Sequence, residues 1–291
     1  MKQKYFILTI ILATFLSASV SYGEVKFGVS LTGGYSSIDN SDFNDSVDGT
    51  VNFYKDIYDA NSLESYEVSF EKITGTLNGD MEIRIIPVES FMIGLGVGYM
   101  SFPVSTFVNK YNDTIAGSID YEQEISTKVI PLSFSAYYVI GAGKNLNLNI
   151  GAGVEYYMGS TSIKNTKNER NGTALTLEDT ADYSGSGIGV SLKLGGELKV
   201  SSNFSFLGGI IGRFGKVSGF EGDVKQADGT TKKEKLYSYD LSANNKTYHL
   251  FASDTEEEKS NAEKDSTISN LEEASVILSG VSIYLGIGLT F

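Results

Sequence analysis

Residues 279–291 read SGVSIYLGIGLTF and alternate apolar with small or polar side chains up to the last position. A repeat of two residues with glycine throughout predicts a β-strand rather than a helix. Terminal segments usually fray, so a terminal strand that ends on an aromatic residue requires a partner strand. The apolar parity comprises Val281, Ile283, Leu285, Ile287, Leu289 and Phe291.

Seven earlier segments show the same alternation. Each has about the length that a tilted strand needs to cross a membrane, roughly 9–11 residues, whereas strands of soluble domains are typically about 5–6 residues long. Only the last of the seven is irregular, because Leu207 and Ile211 interrupt its pattern. The segments are residues 24–36, 73–85, 91–99, 130–140, 146–158, 188–200 and 204–214.

The connections between these segments alternate in length. PVES, GAGK and SSN are short turns, and long polar inserts lie between the other pairs. Short turns on one rim and long loops on the other are typical of transmembrane β-barrels. With eight strands, both ends of the mature chain would lie on the short-turn, periplasmic rim.

The charge is concentrated in two of the long inserts. The net charge is −13, and it becomes −15 when Lys2 and Lys4 are removed with the first 23 residues. Residues 37–72 hold nine acids and two lysines, and residues 217–275 hold thirteen acids and seven lysines. This balance excludes nucleic acid as an expected partner, because phosphate binding needs clustered lysine and arginine.

Residues 1–23 have the pattern of a secretory signal peptide. Lys2 and Lys4 precede an apolar run, and SASVSYG supplies the small residues before the expected cleavage site after Gly23. The apolar run is too short to span a bilayer. The mature domain is therefore expected over residues 24–291, and the absence of cysteine excludes disulfides from it.

Together these patterns predict an all-β fold, an eight-stranded antiparallel up-and-down transmembrane β-barrel with long extracellular loops. In hydrocarbon every backbone polar group must be paired, so such a sheet has to close on itself. A ten-stranded barrel that also includes LYSYDL and TYHLFA is the alternative.

The hairpin VIPLSFSAYYVIGAGKNLNLNIGAGVEYY (residues 129–157) resembles the fourth and fifth strands of the small bacterial outer-membrane β-barrel family of OmpA, OmpX and OmpW types. The C-terminal residues resemble the assembly signal of such barrels. This second resemblance implies recognition by the barrel-assembly machinery of the residues Ile283, Leu285, Ile287, Leu289 and Phe291. Both resemblances imply location in the outer membrane of a Gram-negative-type bacterium.

The parity opposite to the apolar one is expected to face the lumen. An eight-stranded barrel is just wide enough for side chains to fill its interior, and buried charges need partners. A salt-bridged plug is the expected arrangement, and a selective pore for a small solute is the alternative. The predicted lumen charges are Lys26, Asp80, Glu82, Arg84, Glu155, Lys193, Glu197 and Arg213, with Lys199 close to a turn.

The sequence does not decide which residues face the lumen in the segment before residue 130. Apolar residues switch from odd positions, Ile125 and Val129, to even positions, Ile130 and Leu132. Pro131 donates no ladder hydrogen bond, so a β-bulge is expected there, and the direction of Lys128 is left undecided.

The long inserts contain few candidates for chemistry. His249 is the only histidine and is expected to be a solvated loop residue, although Ser253 and Asp254 are near it in sequence. Residues 39–49 are acidic enough to suggest a divalent cation, but their spacing does not fit a helix-flanked calcium loop. We therefore single out no catalytic, cofactor-binding or metal-binding residue in this chain.

The last insert shows some local organisation. LYSYDL and TYHLFA flank SANNK and predict a hairpin, and the segment that begins at Ser253 is expected to be either helical or disordered. Tyr99, Tyr138 and Tyr156 lie on the lipid-facing parity, as tyrosines at a membrane interface would.

The expected function is a structural or interaction role at the cell surface through the long acidic loops, without enzymatic activity. A narrow channel and a lipid-acting enzyme around His249 are the alternatives. The expected partners are outer-membrane lipid, the barrel-assembly machinery, and an extracellular partner or a divalent cation at the acidic loops.

Overall fold

The structure, a computed structural model, describes residues 25–38, 41–61, 63, 65–113, 117–171, 173–225, 230–243, 246–254, 259, 261 and 264–291. The signal peptide predicted at residues 1–23 lies outside these ranges. Within them the chain forms a helix, α1 (Ser41–Ala60), and fourteen strands. The strands are β1 (Lys26–Ile38), β2 (Tyr66–Phe70), β3 (Gly75–Val88), β4 (Phe91–Ser101), β5 (Ser105–Asp113), β6 (Gly117–Gly141), β7 (Leu146–Asn171), β8 (Thr173–Lys199), β9 (Phe204–Lys225), β10 (Thr231–Ala243), β11 (Lys246–Asp254), β12 (Ile268–Glu273), β13 (Val276–Ile277) and β14 (Gly280–Thr290).

A ring of antiparallel pairs closes the sheet. β1 pairs with both β3 and β14, and the neighbours between these two strands are β4, β6, β7, β8 and β9. Every strand of this ring therefore has a partner on each side, which leaves no open edge within the ring. The total of fourteen described strands exceeds the eight predicted, because β2, β5, β10, β11, β12 and β13 form inside the segments that were predicted as long loops.

The strands of the ring are staggered as a closed barrel requires. Paired residues followed once round the ring from Gly28 lead back to β1 at Ile38, ten residues further along the strand. A stagger of this kind goes with strands tilted by about 40° from the barrel axis. The path visits Gly28, Arg84, Gly94, Ser135, Gly153, Ser191, Arg213, Gly280 and Ile38.

The outer face of the ring is an apolar belt. Large apolar side chains on the outward parity are exposed, with values of 75% for Ile188, 72% for Leu285 and 67% for Leu77. Asp, Glu, Lys and Arg are absent from this parity between the first and last large apolar residue of each ring strand. On β7 the belt runs from Leu146 to Met158, and those twelve steps rise about 30 Å at that tilt, the thickness of a bilayer's hydrocarbon core.

The ring strands differ in length on the side away from the short turns. β6, β7, β8 and β9 have 25, 26, 27 and 22 residues, whereas β1, β3, β4 and β14 have 11 to 14. The longer strands continue beyond the apolar belt as a wall. The turns at 89–90, 142–145 and 200–203 lie at the other end, where the short turns were predicted.

The segment predicted as a long acidic loop between the first two barrel strands is largely structured. Residues 41–60 form α1, because Phe43, Val47, Val51, Tyr54 and Tyr58 recur at helical spacing and supply an apolar side. Phe43 and Val47 are buried against the residues that fill the top of the barrel. Asp39 lies outside the described residues.

The bulge predicted at Pro131 is absent. β6 keeps one register with β4 and one with β7 on both sides of this residue. The parity switch arises because Ile125 and Val129 face an apolar interior above the belt, whereas Ile130 faces outward within it. Lys128 shares the outward parity of Ile130 and is exposed.

Two further sequence patterns are resolved by the pairing. Leu207 and Ile211, which blurred the alternation of β9, are buried and lie on the inward parity with Arg213. β10 and β11 form the hairpin predicted around SANNK. A helix does not begin at Ser253, because Ser253 and Asp254 are the last residues of β11, and most of the segment after them lies outside the described residues.

Candidate functional site: a charged lumen beneath an apolar plug

One group of lumen charges is centred on Glu82 of β3. Its carboxylate accepts hydrogen bonds from the Tyr137 hydroxyl at 2.6 Å, from Arg84 Nε at 3.2 Å and from Lys193 Nζ at 3.4 Å. Lys193 also donates to the Tyr137 hydroxyl at 3.1 Å. These side chains come from β3, β6 and β8, so the group ties together opposite parts of the ring.

A second group surrounds Arg213 of β9. Its guanidinium donates to Glu155 Oε2 at 3.3 Å, to Ser282 Oγ at 2.6 Å and to Asp80 Oδ2 at 3.4 Å. The Tyr157 hydroxyl donates to the same Glu155 oxygen at 2.8 Å. Arg213 and Glu155 are almost fully buried. Buried charges of this kind are tolerated only when paired and hydrogen-bonded, which is the case for both side chains.

The predicted set of lumen charges therefore divides into two parts. Asp80, Glu82, Arg84, Glu155, Lys193 and Arg213 meet in the two groups, which carry three negative and three positive charges. Lys26, Glu197 and Lys199 lie near the short-turn end and are at least partly exposed. None of these three forms an ion pair with a described residue.

Sequence reasoning did not identify Tyr137 and Tyr157 as lumen residues. Both lie on the inward parity and beside glycines of neighbouring strands. A Cβ at Gly151 would overlap the ring of Tyr137, and one at Gly189 or Gly215 would overlap that of Tyr157. An inward tyrosine opposite glycine was thus the available signal, since only glycine leaves room for a ring lying across the lumen.

A small polar cavity lies beside the Glu82 group. Its volume is about 40 Å³, and its lining includes Asp80, Glu82, Arg84, Tyr137, Asn149 and Lys193. A space of this size holds roughly two or three waters. It is much smaller than the roughly 300–1,000 Å³ of typical ligand pockets.

An apolar plug fills the barrel above the charged groups. Val129, Tyr157 and Val217 are 0% exposed, and Met100, Phe220 and Leu278 are 1% exposed. These residues belong to one core cluster, which Phe43 and Val47 of α1 join from above. The plug separates the charged lumen from the part of the protein above the apolar belt, where the long strands form the wall.

The second half of α1 packs among aromatic side chains. Tyr58, Val68 and Phe107 form a small core with partly buried tyrosines around it. The Tyr58 hydroxyl donates to Asn109 Oδ1 at 2.8 Å, and burial raises the pKa of Tyr58 to about 12. This core joins α1 to β2 and β5.

An ion pair joins α1 to the β10–β11 hairpin. Lys246 Nζ donates to the Asp56 carboxylate oxygens at 2.8 and 2.7 Å, and the Tyr248 hydroxyl donates to the same group. The hydrogen bond from Lys246, and then that from Tyr248, lowers the pKa of Asp56. We call these three residues the latch, because they are the polar connection between helix and hairpin.

The remaining candidates give little chemistry. His249 stands opposite Asp240 in the β10–β11 pairing, and its side chain lies outside the described part of the chain, as do those of Ser253 and Asp254. Among the described residues no three His, Cys, Asp or Glu side chains are grouped to hold a metal ion. No helix among the described residues is both long enough and apolar enough to cross a membrane.

The residues of the predicted assembly signal lie on the outward face of β14 and just beyond it. Leu285 and Phe291 are each 72% exposed, and the Phe291 backbone N–H donates to the Phe27 carbonyl at 2.7 Å. The predicted interface tyrosines Tyr99, Tyr138 and Tyr156 are likewise outward and exposed. Recognition by the assembly machinery stays a prediction.

No family model matches the chain, and no curated protein sequence matches it. Among solved structures it is similar to a major outer membrane protein from Thermus thermophilus, with 13% identity, a TM-score of 0.46, and coverage of 92% of this chain and 100% of that one. It is also similar to the outer membrane protein OprG from Pseudomonas aeruginosa, with 8% identity, a TM-score of 0.35, and coverage of 91% and 95%. Neither likeness is close enough to carry a functional assignment.

Proposed function

We propose that this chain is an outer-membrane protein of the small eight-stranded β-barrel type, with a structural or interaction role at the cell surface. The eight strands that cross the membrane are those of the closed ring. The observation that carries this proposal is the apolar belt, about 30 Å tall and free of charge, around a sheet without edges. In water such a surface would drive aggregation, whereas in a bilayer it contacts the apolar lipid tails.

The orientation follows from the two ends of the ring. The short turns face the periplasm, and α1 with the paired strands β2 and β5 and the β10–β11 hairpin faces the outside. This agrees with the general pattern of short periplasmic turns and longer extracellular loops in such barrels. The surface available to a partner is then the outside of the wall and the exposed side of α1.

A closed barrel fits the interior better than a channel. Conduction requires a continuous water-filled path, but the residues of the apolar plug have 0–1% exposure. Below the plug, the paired charges occupy the lumen beside the small polar cavity. The barrel thus serves as a rigid, plugged support for the extracellular part.

Planar-bilayer recording tests this proposal. The folded protein is expected to give no reproducible single-channel steps. A Phe220→Gly, Met100→Gly variant removes two large side chains of the plug and serves as the positive comparison, since any conductance should increase in it. Regular steps from the wild-type protein would contradict the plugged barrel and favour the channel alternative.

A lipid-acting enzyme around His249 forms no part of this proposal. Membrane lipids from cells with the wild-type protein and with His249→Ala are expected to have the same acylation pattern. A difference that depends on the histidine would overturn the non-enzymatic assignment.

A further inference from the structure

The outward residues directly above the apolar belt form a band of small hydroxyl and basic side chains. We define this upper rim as the first outward residue beyond the last apolar one on each ring strand, on the side of α1. On β14 the strand begins at Gly280, beside the apolar Val281, so it contributes none. The upper rim consists of Ser37, Gly75, Ser101, Lys128, Ser160, Ser186 and Lys216.

The only charged members of the upper rim are two lysines. Lys128 is the next outward residue above Ile130 on β6, and Lys216 is the next outward residue above Phe214 on β9. Both side chains are exposed. Neither forms an ion pair with a described residue. In a chain of net charge −13, whose acids are concentrated on this same side, a rim with lysines and without an acid calls for a specific explanation.

Serines occupy the strands between the two lysines. Lys128 is paired with Ser160 of β7, and Ser160 is paired with Ser184 of β8. Ser186, also on β8, is paired with Ser218 of β9, next in outward parity to Lys216. Ser160, Ser184 and Ser186 are exposed, so ammonium groups and hydroxyl donors lie along four adjacent strands of the eight in the ring.

We propose that Lys128, Lys216 and the serines between them bind the phosphate groups of anionic lipids in the outer leaflet of the surrounding membrane. This inference rests on the proposed function, because it places the upper rim at the headgroup layer. A residue just beyond the hydrocarbon core meets headgroups, and lysine and serine donors suit phosphate oxygens. The long stem of lysine also lets the ammonium reach that layer while its methylenes remain in apolar surroundings.

Lys164 provides a matched control. It lies on the outward face of β7 above Ser160 and is exposed, as Lys128 and Lys216 are. It differs in its height above the belt and in its cross-strand partner, the acidic Glu124 of β6. If lipid binding depends on the upper rim, replacing Lys164 should leave it unchanged. If it depends on surface charge in general, replacing Lys164 should weaken it.

The test is lipid binding by the folded mature chain in micelles of a zwitterionic detergent. Phosphatidylglycerol is titrated in, and the bound lipids are counted by native mass spectrometry. We expect the affinity to fall about fivefold for each of Lys128→Gln and Lys216→Gln. Lys164→Gln should bind as the wild type does, and an equal concentration of inorganic phosphate should displace little of the lipid.

The outcomes separate this inference from the proposed function. A folded chain in which the Lys128→Gln, Lys216→Gln variant binds phosphatidylglycerol as well as the wild type, or in which Lys164→Gln loses as much affinity, overturns the lipid site alone. Displacement by inorganic phosphate would mean a site for free phosphate instead, which also overturns it. A chain that stays monomeric in detergent-free buffer with its native sheet content overturns the proposed function together with the lipid site.

Discussion

Arg213 is the residue on which the lumen depends most. Its guanidinium contacts a carboxylate on β7, another on β3 and a hydroxyl on β14, so a single side chain joins three strands to its own. At 3% exposure it has almost no access to solvent. Glu155, which is itself almost fully buried, therefore relies on it for neutralisation.

Replacing Arg213 by methionine is expected to lower the free energy of unfolding by about 3–5 kcal/mol, because the nearly buried Glu155 carboxylate loses its cation. Urea unfolding in lipid vesicles, followed by circular dichroism, measures this change. Lys199→Met, at the exposed short-turn end, should stay within about 0.5 kcal/mol of the wild type. If the two variants are equally stable, the lumen charges do not stabilise the ring.

At this scale the sequence predicts charge positions better than aromatic ones. Asp80, Glu82 and Arg84 stand out because they share one parity of an otherwise apolar strand. Tyr137 and Tyr157 do not, because tyrosine is compatible with either face of a membrane strand. Which face it takes depends on glycines of other strands, and sequence alone does not reveal which strands are neighbours.

Among the elements, β8 shows both environments of a ring strand. Leu192 is 59% exposed at the middle of the belt, and Ser191 beside it is 1% exposed in the lumen. The same strand continues above the belt, where Thr180 is outward and exposed. A single strand therefore offers matched positions in hydrocarbon and in water.

Leu192→Lys is expected to destabilise the folded protein by about 2–4 kcal/mol, because a lysine at the midplane of the bilayer loses its hydration. Thr180→Lys, which shares the outward parity but lies above the belt, should have an effect close to zero. Unfolding in vesicles compares the two. An equal effect at both positions would contradict the location of the belt.

The latch makes the attachment of α1 sensitive to acid. Because the pKa of Asp56 in the folded protein lies below the ordinary aspartate value of 3.8, its contribution is present above that value and is lost as the pH falls through the lowered pKa. Protection of α1 against hydrogen exchange, corrected for the intrinsic rate, should thus be constant from pH 7 to about 4 and decline below.

Asp56→Asn is expected to weaken this protection at neutral pH and to remove the decline in acid. Asp45→Asn changes an exposed acid of the same helix that lies outside the latch, so it should behave as the wild type does. An identical acid profile for Asp56→Asn and the wild type would show that the latch does not hold the helix.

At the scale of elements the sequence predicts the strands within the belt and misses α1. The alternation of polar and apolar residues reports the medium on each side of a strand, and between residues 146 and 158 that medium is constant. Above the belt it changes, so Ile125 and Val129 turn inward without any bulge. In α1 the helical spacing of Phe43, Val47 and Val51 is hidden among the acids of a segment that reads as solvated.

The whole molecule has two ends that single cysteines can distinguish, since the natural chain contains none. Ser242 is exposed on the β10–β11 hairpin, and Ser202 is exposed at the turn between β8 and β9. On intact cells a membrane-impermeant maleimide should label Ser242→Cys, while Ser202→Cys should react only after lysis. The reverse pattern would invert the proposed orientation.

The unequal heights of the ring strands give the molecule a direction within the plane of the membrane. Because β6 to β9 rise as a wall while β1, β3, β4 and β14 stop near the belt, the side above the short strands is occupied instead by α1, which is hydrogen-bonded to Ile73 before β3 and packs against β2 and β11. A partner that moves in the plane of the membrane therefore meets a β-sheet on one flank of the protein and a helix on the other.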